Sequence, residues 1–350
     1  MLNPSEVSDI VVGTILAPGS QRGIECRMAA CYAGFPDTVP IRTVNRKCSS
    51  GLQAVADVAA CIKAGFYDVG IGAGLESMTV DKVVPGVPKL TPRQWPLYKP
   101  VIAFFLLQSS LLKMSHSAMI VDPKTGEEKP ATISVDDGIL QNTNMTDLAK
   151  LKPTFKKNGT TTAGNASQVS DGAGAVLMKR SLAMQKELPI LSVFRSFATA
   201  GVDPAVMGIG PAVAIPTAVK SAGLQLDDID LFEINEAFAS QFVYSCKKLG
   251  LDHGKVNVNG GAIALGYPLG TTGARCFGTL LYEMKCRGKD LFRSDLNVHS
   301  LVHFLSLSES LVITGSGMGA AAVFEREEYA DELCNARVVK CNNLLSKDCQ

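Results

Sequence analysis

The sequence predicts an α/β layer fold built from two similar halves. Three observations point to it. Residues 9–77 alternate strand, helix, strand, helix, strand, the order of a layered α/β unit. A later stretch, beginning near residue 226, repeats that order at matching spacings. The 350 residues are 46% hydrophobic and 19% charged, which supplies apolar material for a substantial core.

Each element follows from local pattern. "DIVVGTIL" (9–16) is an unbroken apolar run and reads as a buried strand. "GIECRMAACYAGF" (23–35) reads as a short helix and "VPIRTVN" (39–45) as the next strand. "KCSSGLQAVADVAACIKAGF" opens with small polar residues and becomes periodic, with Leu52, Val55, Ala59 and Ile62 on one helical face. "YDVGIGAGLES" (67–77) is a strand that ends in glycines. From Val80 to Pro130 the composition predicts an irregular excursion. "GTTTAGNASQVS" is a polar loop of small residues, and "GAVLMKRS" a strand leading into a helix. "PILSVFRSFATAGVDP" (189–204) crosses to the second half. The expected organisation is an N-terminal domain over 1–184 with a loop region at about 80–165, a C-terminal domain over 190–326, and a tail over 327–350.

The second half echoes the first. "VSDIVVGTIL" (7–16) resembles "LDDIDLFEIN" (226–235). Ile10 stands 38 residues before Cys48, and Ile229 stands 38 before Tyr267. Gly51 follows Cys48 by three positions, as Gly270 follows Tyr267. Helix-like segments follow at 52–64 and 272–286, then glycine-bearing strands, "DVGIGAG" and "LVITGSGMGAAAVFE" (311–325). An internal duplication of this kind brings equivalent strand-to-helix turns together near a pseudo-twofold axis. Cys48 and the Tyr267 loop are then expected to face one shared pocket.

Composition excludes several classes. A net charge of +1 gives no electrostatic case for nucleic acid or an anionic membrane. The longest apolar run, "VIAFFLL" (101–107), is too short to span a bilayer. The N-terminus has no positively charged signal region. Ten dispersed cysteines without a C-x-x-C pair suggest reduced thiols. The four histidines form no H-E-x-x-H, and no metal site is expected.

Three places can carry chemistry. Cys48, in "NRKCSSG", follows a strand and opens a helix. Free N–H groups and the helix dipole stabilise a thiolate there, with Arg46 and Lys47 adding positive charge nearby. Such a thiolate attacks acyl carbon, and backbone N–H groups can hold the oxyanion. A buried, space-filling cysteine is the alternative. The glycine-rich "NVNGGAIALGYPLGTTGAR" (257–275) lets backbone N–H groups approach a ligand closely. It is neither a Walker motif nor a dinucleotide fingerprint, and "GIGAG" (70–74) lacks the acidic residue a fingerprint needs. In "EINEAFASQF" (233–242), Asn235 can orient a water or a carbonyl, or can cap a helix.

"NRKCSSGLQAV", "AGNASQVSDGAGA", "FEINEAFASQF", "NVNGGAIALGYPLGTTGAR" and "GSGMGAAAVFE" together resemble the thiolase family. They are most similar to the plant type of the peroxisomal 3-ketoacyl-CoA thiolases. The likeness covers roughly residues 5–100 and 120–340. It implies duplicated α/β/α halves and cleavage of a 3-ketoacyl-CoA by free CoA in fatty-acid β-oxidation, giving acetyl-CoA and a shortened acyl-CoA. By that resemblance Cys48 is the nucleophile and Asn235 holds an oxyanion-hole water. Ser167 lines the CoA channel, and the N–H of Gly315 belongs to a second oxyanion hole. It further implies a homodimer, a peroxisomal location, and coenzyme A as co-substrate with no metal or redox cofactor. Without a targeting signal in this chain, the cytoplasm is the alternative compartment.

The departures from the family pattern are specific. The family histidine of G-H-P, which activates the cysteine, is replaced by Tyr267, with a reference pKa near 10. The family's second cysteine, an acid/base, falls at Ile313 in "ITGSGMG". "DLFRSDLNVHSLVHFLSLSE" (290–309) is longer than the family connection, the middle of the chain is compressed, and the first strand and helix of the family are absent. These changes predict an impaired thiolase. The alternatives are an inactive thiolase-fold protein or dimer partner, and, disfavoured by "NEAF" and "GSGMG", a ketoacyl synthase-type condensing enzyme.

Overall fold

A computed structural model describes residues 3–78, 116–121, 127–133, 143–178, 183, 185, 190–290, 299–306 and 317–325. Its first sheet has the order β2-β1-β3-β6. Strands β1 (Asp9–Gly13), β2 (Ile41–Val44) and β3 (Gly70–Glu76) are parallel, and β6 (Gly172–Met178) runs antiparallel to β3. Helix α1 (Gly23–Tyr32) joins β1 to β2, and α2 (Ser50–Lys63) joins β2 to β3. After Asp9, β1 is apolar and buried at every position rather than alternating, because both faces of a parallel sheet are covered.

The second sheet has the order β7-β10-β9-β8. It contains β7 (Val193–Gly201), β8 (Leu231–Ile234), β9 (His299–Ser306) and β10 (Met318–Glu325). Here β8 and β9 are parallel, while β10 is antiparallel to both β9 and β7. A parallel bridge from Phe232 to Val256 stands where β2 pairs with β1 in the first sheet. The two sheets therefore repeat one topology, with β8, β9 and β10 in the places of β1, β3 and β6. The duplicated halves expected from the sequence are present, three residues out of the expected register: β1 begins at Asp9 and β8 at Leu231, so Ile10 matches Phe232 rather than Ile229.

Helix α7 (Thr272–Asp290), reached through the single turn of α6 (Ala262–Leu265), is the counterpart of α2. Helices α2 and α7 form a layer between the sheets. Leu52 and Val55 from α2, with Phe277, Leu280 and Met284 from α7, share one core with Val176, Leu231 and Phe324. Helix α1 covers the outer face of the first sheet through Cys26 and Ala30. Helix α4 (Gly210–Ser221) covers that of the second through Ala214, Ile215, Ala218 and Val219, and α5 (Ala239–Leu249) joins them through Cys246. The result is five layers, α-β-α-β-α. Strand β10 shows the consequence for sequence: Ala320, Ala322 and Phe324 face the middle layer, Ala321 and Val323 the outer one.

Glycine lets the middle layer close. A Cβ on Gly72 would stand 2.7 Å from Val55 Cα, and one on Gly273 would stand 1.8 Å from Leu52 N. The alternate glycines of "GIGAG" thus serve helix packing, which removes any need for a nucleotide to explain them.

Two expectations change. The stretch from Val80 to Pro130 is not wholly irregular: β4 (His116–Val121) and β5 (Glu128–Ile133) form an antiparallel pair, followed by the short α3 (Met145–Leu148). The long segment at 290–309 supplies β9, the strand that joins β8 to β10. Of the last expected strand, 311–325, Met318–Glu325 is seen as β10; Ile313 and Gly315 lie outside the described residues, as does the tail at 327–350.

Candidate active site

Cys48 sits on a turn that the backbone holds in a strained shape. Lys47 adopts φ +50°, unusual for a residue with a side chain. Its N–H donates to Asn45 Oδ1 at 3.0 Å, which fixes the turn from the side of β2. The N–H of Ser50 donates to the Lys47 carbonyl at 2.9 Å, and the Ser50 hydroxyl accepts from Arg46 N at 2.9 Å. The cysteine is thereby placed just before the first turn of α2 and is fully buried. The Arg46 guanidinium is committed to Gln53 on α2, which in turn donates to Asp57, a partner of Arg42.

Three loops close over that turn. Cys48 packs with Ala237 of "NEAF", with Ala262, and with Tyr267 and Leu269 of the glycine-rich loop. Ile15, Leu16, Met78, Met207 and Phe238 form a partly buried apolar wall around them. The "AGNASQVS" loop is stitched to its neighbours by backbone bonds. Ser167 N donates to Ala237 O at 3.0 Å, Ala239 N to Asn165 O at 2.9 Å, and Tyr267 N to Gln168 O at 3.0 Å. Gln168 Nε2 reaches the carbonyl of Ile263 at 3.2 Å. Phe155 meets Phe238 edge-on at 5.9 Å, so the excursion after β5 leans on the same place.

The polar groups here are of two kinds. Glu236 is satisfied: it accepts from Asn257 Nδ2 at 2.8 Å and from Ile263 N at 3.2 Å, in space left by Gly261. Asn235 is not. It is 1% exposed, and neither its Oδ1 nor its Nδ2 has a hydrogen-bond partner among the described residues. Buried amides are ordinarily hydrogen-bonded, so Asn235 stands out. The helix-cap reading of Asn235 fails, since the cap of α5 is Phe238. Deeper in, burial pushes the Glu233 carboxyl up to about 8, while the Arg275 guanidinium 3.6 Å away pulls against that rise. Burial also raises the thiols of Cys26 and Cys246, each to about 11.

Of the residues expected from sequence, the structure brings Cys48, Tyr267, the loop of Ser167 and the segment of Asn235 to one place. Two further residues organise it and carried no local signal. Asn257, at φ +48°, bonds both backbone groups of Ile234. Glu76, at the end of β3, accepts bonds from both halves of the molecule.

Comparison with known proteins agrees with this construction. The family model "Thiolase, N-terminal domain" matches residues 1–93 and 115–181, and "Thiolase, C-terminal domain" matches 188–296. The peroxisomal 3-ketoacyl CoA thiolase 1 of Petunia hybrida is 62% identical, over 99% of this chain and 80% of its own length. The peroxisomal 3-ketoacyl-CoA thiolase B of Mus musculus is 47% identical, over 93% of this chain and 81% of its own. Among solved structures, the dimeric peroxisomal thiolase of Saccharomyces cerevisiae superposes with a TM-score of 0.72 at 37% identity, covering 92% of this chain and 85% of that one. The human mitochondrial 3-ketoacyl-CoA thiolase in complex with CoA gives 0.71 at 30% identity, over 93% and 88%. With both family domains matched and the five layers in place, the chain belongs to the thiolase family.

Proposed function

We propose that the chain is a 3-ketoacyl-CoA thiolase of fatty-acid β-oxidation, slowed by the residue at position 267. The observation that carries this is the burial of Cys48 at the head of a central helix, packed against both the "NEAF" and the Tyr267 loops. In the proposed reaction the Cys48 thiolate attacks the 3-keto carbon of the substrate. The bond between C2 and C3 then breaks, its electron pair leaves with the acetyl-CoA fragment, and a proton completes acetyl-CoA. The shortened acyl group stays on Cys48 as a thioester. The thiolate of free CoA attacks that thioester, releases the acyl-CoA and restores Cys48. Coenzyme A enters as co-substrate. The unpartnered amide of Asn235 suits it to hold a water that donates to the developing oxyanion. Ser167 is assigned to the CoA channel and the Gly315 N–H to the second oxyanion hole. A homodimer and a peroxisomal location accompany this reading.

Tyr267 supports the slowing. It stands buried beside Cys48, where its phenol can donate a hydrogen bond but is a poor base near neutrality. A general base contributes about 10²–10⁴-fold. Ile313, assigned to the position of the second cysteine, carries no proton. The test is to incubate the purified chain with acetoacetyl-CoA and map acyl adducts by mass spectrometry. The expected adduct lies on Cys48, disappears in Cys48→Ala, and forms about 10²–10⁴-fold faster in Tyr267→His. An adduct on another cysteine, or none in either the unchanged chain or Tyr267→His, would overturn the assignment.

A further inference from the structure

Glu76 is 1% exposed and lies where the two halves touch. Its Oε1 accepts from Leu16 N at 3.1 Å and from the Thr14 hydroxyl at 3.3 Å. Its Oε2 accepts from Ile15 N at 3.0 Å and from Gly270 N at 2.9 Å. Three of these donors belong to the segment leaving β1. The fourth belongs to the loop of the other half, three residues after Tyr267 and two before α7. The surrounding backbone is fitted to this contact. A Cβ on Gly270 would stand 2.7 Å from Thr14 Cα, and one on Gly74 would stand 2.6 Å from Gly270 O.

Three of the four donors are backbone N–H groups, which cannot accept in return. Both carboxylate oxygens must therefore accept. A glutamine of the same shape would aim its NH₂ at a backbone N–H whichever way it turned.

We propose that Glu76 is a positioning residue: it fixes the Tyr267 loop over Cys48 by binding the Gly270 N–H from the other half of the molecule. It touches neither the nucleophile nor the substrate. Its effect on chemistry rests on the reading of Cys48 as nucleophile, whereas the anchoring does not.

Hydrogen exchange and cysteine alkylation on the full chain test the proposal. In Glu76→Gln, exchange in the peptide spanning 266–274 should rise about tenfold, the loss of one buried hydrogen bond. Alkylation of Cys48 by iodoacetamide, measured relative to the exposed Cys31 of the same chain, should rise about as much. Thr14→Val removes one donor without touching the Gly270 link and should leave both readings within about twofold. Glu76→Asp, one methylene shorter, cannot reach both groups of donors; it carries the same expectation and serves if the glutamine variant does not accumulate. Unchanged exchange at 266–274, or a rise shared evenly by every peptide, would overturn the anchor. A local rise in Glu76→Gln, with no acyl adduct in either the unchanged chain or Tyr267→His, would uphold the anchor and sink the catalytic reading instead.

Discussion

Asn257 extends β8 with a single side chain. Its Oδ1 accepts from Ile234 N at 2.7 Å, and its Nδ2 donates to Ile234 O at 2.8 Å and to Glu236 Oε1 at 2.8 Å. The backbone just before Asn235 is thereby paired by a side chain at the end of its strand. Asn257→Ala would leave those buried groups without partners. The expected loss is about 2–3 kcal/mol, read as a lower urea midpoint with an unchanged slope. Sequence alone could not show this, because the partners lie 21 to 23 residues earlier. Glu76 was hidden for the same reason, with donors 60 to 194 residues away. The motifs around Cys48 and Asn235 could be picked out because they are local. Even there, only the folded chain removed the helix-cap reading of Asn235.

At their N-terminal ends, helices α2 and α7 meet through backbone. Gly273 stands against Leu52 and Gly51, and Gly51 against Gly270 and Ala274. Inside a helix, alanine ordinarily improves on glycine by about 1 kcal/mol. At Gly273 the sign should reverse. The added methyl has no room, and Gly273→Ala should cost at least about 3 kcal/mol or prevent folding. Gly23, at the start of α1, is open: a Cβ added there would meet nothing within 4 Å. There Gly23→Ala should stabilise by about 0.4–1 kcal/mol, and thermal melting of the two variants side by side checks both signs. Helical periodicity picked out Leu52 and Val55 correctly. It missed that Ala54 and Val58 are equally buried, because a helix between two sheets has no solvent face of the usual width. Strand β9 escaped because "HSLVHFLS" mixes polar and apolar residues without a clear period, and only its pairing with β8 and β10 makes it a strand.

The five-layer architecture rests on a duplication that was legible in the repeated order of strands and helices, although the expected pairing of Cys48 with Tyr267 was three residues out of register. Its burial of charge has a consequence for stability across pH. The Glu233 carboxyl, raised by burial to about 8, keeps its proton in the folded chain over a range where the unfolded chain releases it. This contribution is complete below the ordinary carboxylate range and is lost as pH rises through about 8. Stability should fall across that window by at most about 1.4 kcal/mol per pH unit. Melting curves taken from about pH 5 to about pH 8.5 should shift less with pH for Glu233→Gln than for the unchanged chain. The contact of Gly51 with Gly273 joins two positions that the repeat makes equivalent, each the second residue of its helix. A surface that touches its own equivalent is self-complementary, so a half-length chain carrying that glycine would fit a second copy of itself. Such a pair would be bound by symmetry to place the same residue at both turns. In one chain no such constraint applies: Cys48 stands two residues before α2, while Gly270, its equivalent, stands two residues before α7.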